Sequence, residues 1–325
     1  APPRYGETVF ENAGVRLWTS GDDIGVLSFK SKLHMIGDEV LEGVLEALRI
    51  AEQRFDGLVL WQTEAPFSVG ADLAQALPAL QAGDVVAFEN AVAKFQRTTA
   101  ALRHAALPVV AATQGLALGG GCEFLMHCDR VVAALESHIG LVEVGVGLIP
   151  AGGGCKELAL RAMLEAKGGD LLPFLRPYFE AMAMAKVSRS AEEARQLGYL
   201  RTADVIVFNP RELLYVAKTQ ARALAEAGYR PPQPRKIRVA GRAGIAACQM
   251  MLVNMRDGGF ISPHDYRLGL SIAHALCGGD VDANALVDEE WLLGLERKRF
   301  VELTQTPQTQ ARIEHMLKTG KPLRN

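Results

Sequence analysis

No uninterrupted apolar run among the 325 residues reaches the roughly 18 that a membrane-spanning helix needs, so no membrane span is expected. The opening stretch APPRYGETVF has no basic-then-apolar signal pattern. It also lacks an initiator methionine, which fits simple processing or a piece cut from a longer polypeptide; the second reading is favoured. Cysteine is scarce and unpatterned. Cys122, Cys128, Cys155, Cys248 and Cys277 are odd in number and contain no Cys-x-x-Cys pair. That argues against a disulfide framework or a zinc ribbon, and reduced thiols in a cytoplasmic setting fit best. Charge of neither sign dominates. A formal net charge of -2 gives no global attraction to nucleic acid or anionic membrane, so an anionic ligand must be held by local charge. With 49% hydrophobic and 22% charged residues the composition is ordinary for a globular chain of one or two domains.

Several catalytic motifs are also missing. There is no Gly-Lys-Ser/Thr step of a P-loop and no G-x-G-x-x-G turn with an acidic residue about twenty positions on, which excludes common nucleotide sites. The seven histidines form no H-x-x-x-H or H-E-x-x-H pair, so no dedicated metal site is expected. No G-x-S-x-G occurs, and Lys318-Thr319-Gly320 is a lone tripeptide of no weight.

What is present alternates strand and helix. Val15 to Ser20 and Ile24 to Phe29 are β-prone runs joined by Gly-Asp-Asp, a hairpin signal. Residues 38–54 carry Val40, Leu41, Val44, Leu45, Leu48 and Ala51 at helical spacing, with Asp38 as candidate cap. Gly57 to Trp61 reads as a buried strand, followed by the glycine turn Pro66 to Leu73 and a helix over about 86–105. Val109 to Ala112 is a second strand, Gly119-Gly120-Gly121 a second glycine turn into a helix, and Gly152 to Gly154 opens a third helix. Residues 163–187, with a Gly-Gly break and two prolines, look like an insertion with its own short helices. Ser190 to Gly198 is a short helix with a Gly stop and Ala203 to Phe208 a strand. From Pro210 onward the pattern is mainly helical, with Arg230-Pro-Pro-Gln-Pro as linker and helices near 289–303 and 307–319, the latter capped by Thr306 and Pro307.

Strand, glycine turn and helix thus occur twice, near 57–80 and 108–127. Each turn can offer a free backbone N–H at a helix start. Two such donors on one oxygen stabilise a developing negative charge. Glu123 stands just beyond the second turn, and Glu143, between Val142 and Val144, stands twenty residues further. Carboxylates in apolar surroundings can manage protons, and the combination suggests enolate chemistry on a carbonyl compound. The bland alternatives are a solvated glutamate at a helix start and a surface loop glutamate. Cys122 can be read as a nucleophile or as a small buried hydrophobe, and the second fits better. His127 reads as a packed or hydrogen-bonded residue.

These stretches resemble the enoyl-CoA hydratase/isomerase family, the crotonase superfamily. Phe67-Ser-Val-Gly-Ala-Asp-Leu73 is similar to the family's first oxyanion motif, with Ala71 as donor, and Gly115-Leu-Ala-Leu-Gly-Gly-Gly-Cys-Glu123 to the second, with Gly120 as donor. Glu123 and Glu143 match the two glutamates of the family's hydratases. The resemblance covers about residues 10–210 and the last thirty or so. It departs at Val142, where proline is usual, at Ala151, where glycine is frequent, and in segments 163–187 and roughly 230–285, which are longer than in a typical member.

The resemblance implies an α/β fold: a crotonase-like ββα spiral core over 1–210 and a helical C-terminal region over 211–325 that assembles trimers or dimers of trimers. It implies an acyl-CoA thioester as substrate, oxyanion donors Ala71 and Gly120, and carboxylates Glu123 and Glu143. Gly70, Asp72 and Gly119 shape the substrate site, and Lys30 and Lys32 are candidates for the coenzyme A phosphates. Coenzyme A belongs to the substrate, and no metal or redox cofactor is required. Hydratase modules of multifunctional β-oxidation proteins are also similar, which implies a dehydrogenase region or partner outside the chain. Two further readings are a Δ3-Δ2 enoyl-CoA isomerase, which can work with one carboxylate, and a non-catalytic acyl-CoA-binding module. The glutamate pair favours the hydratase. A protease of the related Clp fold would need a Ser-His-Asp set at these turns, and none is found.

Overall fold

The computed structural model describes residues 5–325. The chain runs β1 (Glu7–Glu11), β2 (Val15–Thr19), β3 (Ile24–Phe29), α1 (Asp38–Arg54), β4 (Gly57–Trp61), α2 (Leu73–Ala82) and α3 (Val85–Arg103). It continues through β5 (Val109–Thr113), β6 (Leu116–Leu118), α4 (Gly120–His127), β7 (Arg130–Ala134), β8 (His138–Gly140) and α5 (Gly154–Ala166). Then come α6 (Leu172–Ala183), α7 (Ala191–Gln196), β9 (Val205–Val207), α8 (Leu213–Glu226), β10 (Ile237–Arg238) and α9 (Gly241–Asp257). The last are α10 (Pro263–Cys277), β11 (Leu286–Val287), α11 (Glu289–Thr304) and α12 (Pro307–Thr319).

Two compact units interleave along the chain. Unit 1 takes residues up to 72, 97–139 and 188–233; unit 2 takes 73–96, 140–187 and 234–325. The spans 1–210 and 211–325 each contribute to both. The passage after Gln233 falls inside the proline-rich linker marked by the sequence.

Unit 1 is built on a seven-stranded sheet ordered β1-β2-β3-β4-β5-β7-β9. The first three strands pair antiparallel, β2 with β3 as the hairpin signal at Gly21 predicts, and the rest run parallel. Parallel strands are covered on both faces, which is why GLVLW and VVAAT are continuous apolar runs rather than alternating ones. On one face Ile24, Val59, Val110, Ala112, Val132 and Val207 pack against Leu213, Ala217 and Ala221 of α8. Helix α1 buries Val40, Leu41, Val44, Ala47, Leu48 and Ala51, the stripe its 3.6-residue period demands. Its cap differs from the expectation. Gly37 is the N-cap and has no side chain to cap with, and its carbonyl accepts the first amides, from Val40 and Leu41. Asp38 is therefore a first-turn residue, where its charge suits the positive end of the helix.

In unit 2 the α5 start lacks a capping side chain of its own because its N-cap is Gly153, at φ +105°. The buried Glu296 of α11 supplies the acceptors: Oε2 takes the Gly153 N–H at 2.8 Å and Oε1 the Lys156 N–H at 2.7 Å. Segment 163–187 is not a set of short helices. Helix α5 continues into it to Ala166, and the single twelve-residue helix α6 follows. Helix α10 opens with a capping box between Ser262 and Asp265, and α12 with Thr306 accepting the Thr309 N–H at 3.3 Å, ahead of Pro307. No helix among the described residues is long and apolar enough to cross a membrane.

Burial of His264 is expected to make this unit sensitive to acid. His264 lies at the start of α10, and burial, with the nearby Arg312 guanidinium, pushes its pKa down to about 4. The fold holds the neutral imidazole, whereas the unfolded chain protonates it near pH 6.5. Its contribution is thus fully present above about pH 6.5 and is lost as the pH falls toward 4. Denaturant titrations should show unfolding free energy falling by on the order of 2–3 kcal/mol across that interval. His264→Gln should flatten the slope; an unchanged slope would remove His264 as its source.

Candidate active site

The two glycine turns come together in unit 1. The loop after β4 pairs Ser68 with Ala117 and Ile36 with Ala71 in short parallel bridges. Ser68 is fully buried. Its N–H donates to Leu116 O at 3.1 Å and its carbonyl accepts from Leu118 N at 3.0 Å. Its hydroxyl donates to His34 O at 2.7 Å and accepts from Gly70 N at 3.1 Å. His34 Nδ1 in turn donates to Pro66 O at 2.6 Å. Neither Ser68 nor His34 stands out in the sequence as a site residue; the only signal for Ser68 is a small polar residue ahead of a glycine turn.

Close approach dictates the glycines. Gly70 has φ +97°, and a Cβ there would lie 2.8 Å from Leu118 O and 3.4 Å from Gly120 N. A Cβ on Gly121 would lie 2.8 Å from both Ser68 Cβ and Ser68 O. Gly119, at φ 51° and ψ −123°, is the N-cap of α4. The first intrahelical amide bond there is Glu123 N to Gly119 O at 3.0 Å, which leaves the Gly120 N–H at an open helix start. Ala71 N–H is also unspent: among the described residues neither amide donates a hydrogen bond. Ala71 is exposed and Gly120 buried. Asp72 anchors the first turn through its own N–H, which donates to Ile36 O at 3.1 Å.

Glu123 lies on the first turn of α4 and is 3% exposed, which removes the reading of a solvated glutamate at a helix start. Its neighbour Phe124 meets Phe29 edge-on, ring centroids 5.9 Å apart. Cys122 is buried, with its Sγ 3.8 Å from Met126 Sδ, as a small hydrophobe would be. His127 Nδ1 bonds the Glu123 carbonyl at 2.7 Å, a structural role.

The two lysines differ. Lys30 Nζ is engaged with Glu11 Oε1 at 2.7 Å and Asn12 O at 2.7 Å, whereas Lys32 is exposed in a one-turn helix over 32–34. If this loop meets the phosphates, Lys32→Ala should raise the KM for an acyl-CoA about fivefold at constant kcat, the ~1 kcal/mol of an exposed charge pair. Lys30→Ala should have the smaller effect; equal KM values for Lys32→Ala and wild type would remove the assignment.

Glu143 belongs to unit 2. It is half-buried and opens the one-turn 3₁₀ segment Glu143–Val146, with Val142 at the N-cap. Ala151 carries no donor role visible in the structure; its carbonyl accepts from Gln96 Nε2 at 2.8 Å. Among the described residues no group of three or more His, Cys, Asp or Glu side chains is arranged to hold a metal ion.

A seven-stranded mixed sheet covered by helices, with the glycine turn after β4 bridged to β6, is the crotonase type of fold. Its solved neighbours agree. An enoyl-CoA hydratase from Bacillus halodurans superposes with a TM-score of 0.62 over 92% of this chain and 98% of that one, at 18% identity. Residues 24–166 match the profile of the enoyl-CoA hydratase/isomerase family. A Bacillus subtilis protein described as a probable 3-hydroxyacyl-CoA dehydrogenase is 40% identical over 98% of the chain. An Arabidopsis thaliana peroxisomal fatty acid beta-oxidation multifunctional protein is 29% identical over 75%. The chain spans 40% and 32% of the lengths of these two relatives. It belongs to the enoyl-CoA hydratase/isomerase, or crotonase, superfamily.

Proposed function

We propose that the chain is an enoyl-CoA hydratase, adding water across the double bond of a trans-2-enoyl-CoA to give the 3-hydroxyacyl-CoA. The observation that carries this reading is the pair of unspent amides, Ala71 and Gly120, on two turns in van der Waals contact. The thioester oxygen sits between them, so that the enolate formed as water attacks C3 meets two fixed donors. Glu123 and Glu143 share the water, one accepting its proton while the other orients it, and Glu143 delivers the proton to C2. Glu123 enters by its burial beside the Gly120 turn, and Glu143 by its spacing in the sequence and the family resemblance. Gly70, Gly119 and Asp72 keep the turns in shape. Hydration consumes only water and the thioester, so the proposed reaction calls for no metal or redox cofactor.

The relatives suggest the setting. We propose that the 3-hydroxyacyl product passes to a dehydrogenase, as a further region of one polypeptide or as a partner, and that the chain works as a trimer or dimer of trimers. Five buried cysteines that form no disulfide are consistent with a reducing cytoplasm. The test is hydration of crotonyl-CoA and decenoyl-CoA, followed as loss of enoyl-thioester absorbance, with a 3-enoyl-CoA as isomerase substrate. Turnover of the 2-enoyl substrates is expected. Isomerisation without hydration would replace the reading by the isomerase, and binding without turnover of any substrate by the binding module.

A further inference from the structure

The turn that carries Glu143 closes on its own backbone, beginning with Gly145 N on Val142 O at 2.9 Å. Gly147 N closes on Val144 O at 3.0 Å and Leu148 N on Glu143 O at 3.0 Å, with Gly147 left-handed at φ 79°. In so short a 3₁₀ segment the aim of the first side chain depends on what grips the carbonyls. Helix α12 does the gripping: a Cβ on Gly147 would stand 2.8 Å from Thr309 Cα. Thr309 Oγ1 donates to Gly147 O at 2.6 Å, and Arg312 Nη1 donates to Val144 O at 3.0 Å. Thr309 is fully buried and Arg312 is 1% exposed.

Both gripping side chains are braced from α10. Asp265 Oδ1 pairs with Arg312 Nη2 at 2.8 Å, and the same carboxylate is locked by its capping box with Ser262. Arg312 Nε donates to Asn325 Oδ1 at 2.8 Å. His264 Nε2 lies 3.1 Å from Thr309 Oγ1. Because the threonine proton goes to Gly147 O, the imidazole must be the donor there. A buried guanidinium is a poor way to gain stability alone, since apolar packing serves as well. A planar fork with one arm on a carboxylate and the other on a peptide carbonyl is a good way to fix a direction.

We propose that Thr309 and Arg312, braced by His264 and Asp265, are positioning residues for Glu143, fixing the peptide carbonyls of its turn and through them the aim of its carboxylate. The inference rests on reading Glu143 as a catalytic carboxylate. It gives the extra segment 230–285, which contains α10, a part in the reaction without touching substrate.

The test is a double-mutant cycle between Thr309→Val and Glu143→Gln, with kcat and KM measured for crotonyl-CoA. Valine keeps the shape and removes the hydroxyl. Thr309→Val alone should lower kcat about tenfold to a hundredfold with KM within about twofold, while Thr309→Ser stays within about twofold of wild type. In the Glu143→Gln background Thr309→Val should cost nothing further. A Thr309→Val enzyme with wild-type kcat, or an equal added loss in the Glu143→Gln background, overturns the proposal while leaving Glu143 catalytic. A fully active Glu143→Gln enzyme instead overturns the underlying reading of Glu143. If Thr309→Val does not fold, Asp265→Asn, which weakens the hold on Arg312, carries the same cycle with the same expected outcomes.

Discussion

Glu123→Gln should lower kcat for enoyl-CoA hydration by at least about two orders of magnitude, the usual size of a lost acid–base group. The substitution keeps the side chain's shape and its ability to accept a hydrogen bond, but removes the means to take or return a proton at neutral pH. Glu123 is 3% exposed on the first turn of α4, directly after the glycine turn that presents Gly120 N–H. A neutral amide is easier to bury than a carboxylate, so the variant should fold and melt within a few degrees of wild type. KM should stay within a few-fold, because in the proposed reaction the amides and not Glu123 hold the thioester. Glu143→Gln should behave alike, and the double variant should lose less than the product of the two single losses, since in the proposed reaction both carboxylates act on one water. Steady-state kinetics beside a thermal melt decide it. A Glu123→Gln enzyme with kcat within fivefold of wild type would reduce Glu123 to a packing residue.

The second large effect is expected at Gly70. Gly70→Ala places a methyl 2.8 Å from Leu118 O and 3.4 Å from Gly120 N, at φ +97°, where an L side chain is strained. The obstacle is backbone, so the turns must part, which would break the proposed convergence of the Ala71 and Gly120 amides on one oxygen. Loss of one oxyanion donor lowers kcat by roughly 10²–10³, and that is the expected drop. Gly83→Ala is the control. It is also left-handed, at φ +62°, but has nothing within 4 Å of the added methyl. It should show a comparable backbone strain, of order 1 kcal/mol in a melt, with kcat unchanged. If Gly70→Ala and Gly83→Ala are equally active, the contact of the turns is not what aligns the donors.

Several elements are legible in the primary chain because their causes are local. The apolar stripe of α1 marks Asp38–Arg54 at both ends, and Gly57–Trp61 reads as a strand from its composition alone. The Thr306–Pro307 cap occurs where its side chains predict it. The candidate oxyanion turns announce themselves by glycine because Gly70 combines a left-handed backbone with a close approach to Leu118 O that a side chain would block. Other features have no local sign. Strand β1, the strand Arg130–Ala134 and the short pair β10 and β11 exist because a partner strand lies alongside. The choice of Gly37 over Asp38 as cap follows from where α1 begins its hydrogen bonds.

Which polar groups serve the site is the least local property. Lys30 and Lys32 look equivalent in the chain, yet one is engaged by Glu11 and Asn12 and the other is open. Glu296 caps a helix 140 residues before it, and Arg312 grips a carbonyl 168 residues away. Composition, turn chemistry and helical period are written residue by residue, so they can be read without coordinates. The partner of a buried charge is set by which distant segments the fold brings within 3 Å, and short-range pattern carries no record of that.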